Sequence, residues 1–82
     1  MEVKVLGAGC ERCKTLCGAV DQAIRRLGID ATITKVERPD EIKTYRVLMT
    51  PALVIDGKIK AAGRIPGPAE LDEWLAAASG RP

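Results

Sequence analysis

The chain has 82 residues, 46% of them hydrophobic and 29% charged, with a formal net charge of +2 and no histidine. That length suits one small domain burying roughly 60 to 65% of its unfolded-chain surface, so residues 1–82 are read as a single domain. Acids and bases are mixed along it and Trp74 and Tyr45 are its only aromatics. The basic footprint and the base-stacking platform of a nucleic-acid binder are therefore both missing, and no apolar run approaches the roughly 20 residues that would cross a membrane. Without histidine, Cys-His and Ser-His nucleophiles and His-containing zinc sites are excluded. Any chemistry must come from the three thiols, and no cofactor is expected.

The segment "MEVKVLG" places an acid where a secretory leader would be basic, and no apolar leader core follows, so a cytoplasmic protein without a signal peptide is expected. Within it, Val3 to Leu6 is a short β-branched run stopping at Gly7-Ala8-Gly9, a strand that delivers the chain to a tight loop. The loop carries Cys10. From Cys13, the apolar positions Leu16, Cys17, Val20, Ala23, Ile24 and Leu27 repeat at three-and-four spacing, which predicts one helix face, with Gly28 as its C-terminal cap. Cys13 and Cys17 then share that face, and Cys10 stands at the helix entrance.

Ile29 to Val36 is rich in β-formers but polar on one side, as an edge strand would be. Pro39 opens a short helix through about Val47 with Ile42 and Tyr45 facing inward. The apolar run Ala52 to Ile55, the pair Asp56-Gly57 and the alternating Lys58 to Ala62 predict two strands joined by a two-residue turn. A last helix starts at Pro68 and turns Leu71, Trp74, Leu75 and Ala78 to one side; Gly80 lies past its end, and Arg81 and Pro82 read as loose tail. The order strand, helix, strand, helix, strand, strand, helix gives an α/β fold with a mixed four-stranded sheet, Ala52 to Ile55 in its centre. Lys4, in the first strand, fits a central position poorly.

The segments "GAGCERC", "GIDATITKV", "TPALVIDGK" and "AGRIP" resemble the small redox-active disulfide proteins of archaea and bacteria, a thioredoxin-like and glutaredoxin-like family. A lone C-x-x-C is weak; a C-x-x-C at a strand-to-helix turn, with Thr-Pro opening an apolar strand some forty residues later, is strong. The resemblance covers essentially the whole chain and implies a minimal thioredoxin-like fold, βαβαββα. It further implies that Cys10 is the attacking thiol, Cys13 the resolving one, and Pro51 a cis proline beside them. Thr50, Pro51, Gly63 and Arg64 then form the substrate surface. Protein disulfides would be the substrates, a thioredoxin-reductase-like protein or a thiol the electron donor, and the chain would act as a monomer, with neither nucleic acid nor membrane as partner. Glu11-Arg12 stands where typical thioredoxins have Gly-Pro, and no tryptophan precedes Cys10.

The chemistry suits this spacing because thiolate is the nucleophile, and a thiol at a helix start meets the positive end of the helix dipole. A second thiol one turn further in can attack the resulting mixed disulfide and release the substrate. Arg12 and Lys14 favour the thiolate and Glu11 opposes it. Cys17 lies on the core-facing stripe, where a free cysteine behaves as a small hydrophobe. Arg64 is either a contact for an acidic substrate or a solvated arginine. The rival reading is a thiolate metal carrier for Cu(I) or Zn using Cys10, Cys13 and Cys17. Carriers of the ferredoxin-like kind, however, run strand, helix, strand, strand, helix, strand.

Overall fold

A computed structural model of the protein describes residues 1–7, 11–47 and 49–80. Cys10, at the expected helix entrance, and the expected tail Arg81-Pro82 lie outside the described residues. The elements follow in the expected order: β1 (Glu2–Leu6), α1 (Glu11–Leu27), β2 (Thr32–Val36), α2 (Pro39–Thr44), β3 (Ala52–Ile55), β4 (Lys58–Ala62) and α3 (Pro68–Ala78). Together the strands make a single sheet in the order β2-β1-β3-β4, with β1 parallel to β2 and the other pairings antiparallel. The apolar β3 is thus central, and the more polar β2 and β4 are the edges.

Alternation along the central strands divides the core between the two faces of the sheet. Val3 and Val5 of β1 with Leu53 and Ile55 of β3 pack against Leu16, Val20 and Ala23 of α1 and Leu71 and Leu75 of α3. On the other face Leu6, Val36, Ala52 and Val54 meet Ile42, Tyr45 and Val47 in and after α2. Lys4 belongs to this second face. It is half-buried there because its Nζ donates to the Tyr45 hydroxyl at 2.8 Å, pairs with Glu2 at 3.1 Å and lies 5.5 Å from the Tyr45 ring centre. A partner 41 residues away thus joins Glu2 of the same strand in satisfying the lysine.

Several boundaries differ from the sequence expectation, each for a local reason. The first helix ends in a glycine cap as anticipated: Gly28 adopts φ +64, its N–H reaches the Arg25 carbonyl and the Ile29 N–H reaches that of Ile24. That cap engages Ile29, and β1 pairs from Glu2 onward, so β2 begins at Thr32 and not at Ile29. Helix α2 ends at Thr44, short of Val47, because the Tyr45 and Arg46 N–H groups bond back only three residues and Arg46 turns to φ 58. The hairpin turn has φ 47 at Asp56 and φ 82 at Gly57, the left-handed pair that a tight two-residue turn requires. In β4 the register shifts by one residue, Val54 pairing with Ile59 and Leu53 with Ala61, which leaves Lys60 as the extra residue of a bulge.

Candidate functional site

The end of β1 and the start of α1 meet at Gly7. Its N–H extends the parallel ladder to the Val36 carbonyl at 2.9 Å, and the residue is buried. A Cβ built on Gly7 would overlap the Cys13 Sγ and lie 3.8 Å from the Thr50 Cβ. Glycine is needed here to admit the thiol. Cys13, in the first turn of α1, is 7% exposed.

Across the site, the Thr50–Pro51 peptide bond is cis and Pro51 is fully buried at the start of β3. The Pro51 carbonyl accepts the Gly63 N–H at 2.9 Å, joining this loop to the one that follows β4. Gly63 in turn has φ +78, and its carbonyl accepts a hydrogen bond from Arg12 Nη2 at 3.1 Å. Arg12 is the chain neighbour of Cys13, so hydrogen bonds link the start of α1 through Gly63 to Pro51, and the space left at Gly7 faces both the Cys13 sulfur and Thr50. Three segments far apart in sequence are thereby joined next to the turn that carries the buried thiol. Of the residues singled out from the sequence, the structure joins Pro51 directly to Gly63 and, through Arg12, ties Gly63 to the turn that carries Cys13.

Arg64 is directed elsewhere. Both its terminal nitrogens donate to the Glu70 carboxylate of α3 at 2.9 Å, and its guanidinium carbon stands 5.9 Å from the centre of the Trp74 ring. Glu70 also accepts the Gly67 N–H at 3.2 Å at the start of α3. The bond from Arg64, then that from Gly67, holds the Glu70 carboxyl below its ordinary range, and Glu70 raises Arg64. The arginine therefore ties the glycine loop to α3.

Cys17 is a half-buried thiol packed against the core face of α1. With Cys13, Val5, Gly7, Lys14, Lys35 and Glu37 it lines a cleft of about 30 Å³, room for one water. Burial pushes the Cys17 thiol above its ordinary range; Lys35 acts against that shift and Glu37 with it. The neutral thiol is thus favoured over the thiolate.

Three contributors escaped sequence reasoning. Gly7 carried only a turn signal, whereas its role is to leave room for sulfur. Arg12, a charge beside the thiols in the sequence, is also a hydrogen-bond donor to Gly63. Met49 had no signal except its place before Thr50; it is 62% exposed, and a Cβ on Gly63 would stand 2.9 Å from its Cβ and 3.1 Å from its Sδ.

No helix among the described residues is long and apolar enough to cross a membrane. The order of elements, with a helix before the hairpin and another at the end, also departs from that of the ferredoxin-like metal carriers. Residues 1–76 match the family model described as a thioredoxin domain. The chain is 32% identical over 75 residues to a thioredoxin of Methanothermobacter thermautotrophicus, covering 92% of this chain and 97% of that one. It is 37% identical over 73 residues to a thioredoxin of Methanocaldococcus jannaschii, covering 89% and 84% of the two chains. With its sheet order, its Thr-Pro loop and these similarities, the chain belongs to the thioredoxin-domain family and is a thiol-disulfide oxidoreductase.

Proposed function

We propose that Cys10 and Cys13 are the redox pair of this oxidoreductase and that it reduces disulfides in protein substrates. The observation that supports the reading is the hydrogen-bonded link from Arg12 through Gly63 to Pro51, together with the space that Gly7 leaves for the sulfur of Cys13, which follows Cys10 at C-x-x-C spacing. Cys10 directly precedes Glu11, the first residue of α1, where a helix dipole favours thiolate.

In the forward direction the Cys10 thiolate attacks one sulfur of the substrate disulfide. A protein–substrate disulfide forms, and the other substrate sulfur leaves as thiolate and takes a proton. The Cys13 sulfur, having lost its proton, then attacks Cys10 Sγ. The Cys10–Cys13 disulfide forms, and the second substrate sulfur leaves. The substrate has gained two electrons and two protons, and the protein has lost them. A thioredoxin-reductase-like protein or a low-molecular-weight thiol returns the two electrons. Thr50 and Pro51 offer backbone to an extended substrate segment, as an added strand would be offered a sheet edge. Gly63 leaves room for the Met49 side chain beside that segment, and Arg64 holds the Gly63 loop through Glu70. The same reading makes residues 1–82 one domain that acts as a cytoplasmic monomer.

The test is reduction of insulin by the reduced protein. Cys10→Ser should abolish it, and Cys13→Ser should accumulate mixed disulfides detectable by mass. Full turnover by Cys10→Ser would overturn the assignment. Stoichiometric metal in the purified protein, with no disulfide exchange under any reductant, would favour the thiolate carrier instead.

A further inference from the structure

We propose that Met49 is a specificity-determining contact that selects protein disulfides with an apolar residue beside the target cysteine. The inference rests on the reading of Cys10, Cys13 and the Thr50-Pro51 loop as the reacting surface, and it adds the substrate class. Two large hydrophobic side chains among the described residues are exposed, Met49 at 62% and Ile59 at 46%. Ile59 lies on edge strand β4 between Lys58 and Lys60, whose charges discourage pairing with another chain. Nothing comparable accounts for Met49.

Its position is fixed from two directions. It directly precedes Thr50 in the chain, so an extended segment pairing with the Thr50 backbone passes it. Its side chain also lies over Gly63, where even a methyl group would displace it, and Gly63 is held by Pro51 on one side and Arg12 on the other. The thioether thus forms an apolar patch on the loop pair that Arg12 ties to the start of α1. Thioethers are flexible and polarizable, so they pack against apolar partners of varied shape and offer nothing to a polar one. A leucine next to the substrate cysteine would remove this patch from water on binding; an asparagine of nearly the same shape would bring unsatisfied amide groups against it.

The experiment compares two disulfide-linked peptides that differ only in the residue beside the target cysteine, leucine in one and asparagine in the other. Wild-type protein should reduce the leucine peptide with kcat/KM about tenfold higher, mostly through KM, the scale of one apolar contact in a pocket. Met49→Gln, a polar replacement of similar length, should bring the ratio near one, and Met49→Leu should keep it. Circular dichroism checks that the variants remain folded. Equal kcat/KM for the two peptides in the wild type, or an unchanged ratio in folded Met49→Gln, overturns the proposal while leaving the dithiol reading intact. Reduction of both peptides by Cys10→Ser at wild-type rates overturns the dithiol reading itself, and the proposal with it.

Discussion

Arg12 donates a hydrogen bond from its Nη2 to the carbonyl oxygen of Gly63, 51 residues away, at 3.1 Å. The arginine sits between the two cysteines of the C-x-x-C, so this bond couples the start of α1 to the loop after β4. Its effect is to position a loop at the rim of the site. Arg12→Ala should cost no more than about 1 kcal/mol in stability, because the bond is exposed to water. Insulin reduction should fall severalfold, and Arg12→Lys should recover part of it. Urea unfolding beside steady-state rates decides; a stability loss with unchanged rates would make the bond merely structural.

Gly7→Ala should be the more damaging change at this site. The added carbon has nowhere to go except into the Cys13 sulfur, and Gly7 is buried and tied to Val36. Overpacking of this kind costs roughly 1 to 3 kcal/mol. Chemical denaturation should show that loss, and reduction of protein disulfides should fall because the displaced sulfur is the proposed resolving thiol. A variant as stable and as active as wild type would mean that the approach relaxes without cost.

Cys17→Ala should retain most of the activity and lose on the order of 1 kcal/mol, as expected for a small truncation in a partly filled site. The pH dependence is more diagnostic. Burial raises the Cys17 thiol, so above the ordinary thiol range the unfolded chain releases a proton that the folded chain keeps. Stability from this group is present below the unfolded pKa and is lost as pH rises through the folded one. Melting curves on the alkaline side should therefore fall less steeply in Cys17→Ala than in wild type. Mapping of an oxidised bridge from Cys17 to Cys13 or Cys10 would show instead that Cys17 belongs to a thiol relay.

The Arg64–Glu70 pair predicts an effect at the acid end. The Glu70 carboxyl is held below its ordinary range by Arg64 and then by the Gly67 N–H. Its contribution is present above the unfolded glutamate pKa and is lost as pH falls through the lower folded value. Wild-type melting temperature should drop over that acid window more than that of Glu70→Gln. Trp74, 5.9 Å from the Arg64 guanidinium, should report the same event as a change in fluorescence that Arg64→Ala abolishes. Identical acid limbs in wild type and Glu70→Gln would show that the pair has no bearing on folding.

The order of elements was legible in the sequence because each is specified by near neighbours. The three-and-four spacing from Cys13 to Leu27, the cap at Gly28, the apolar run Ala52 to Ile55 and the Asp56-Gly57 turn are local signals, and the structure has an element or turn at each. The cluster at Cys10, Cys13 and Cys17 and the distant Thr50-Pro51 were likewise visible, and they include the residues here proposed to react. Tertiary structure decided what those signals could not carry. The hydroxyl that receives Lys4 in a central strand is that of Tyr45, which follows α2, and the early end of α2 at Thr44 and the bulge at Lys60 have no periodic signature. Arg12 as a brace for Gly63 depends on a contact across 51 residues, whereas Met49 over Gly63 and Gly7 as a space for the Cys13 sulfur depend on how shorter stretches of chain fold back. Periodicity and propensity describe how a segment folds on itself, whereas sheet register and helix packing determine which distant segments touch, and this site is made where they touch.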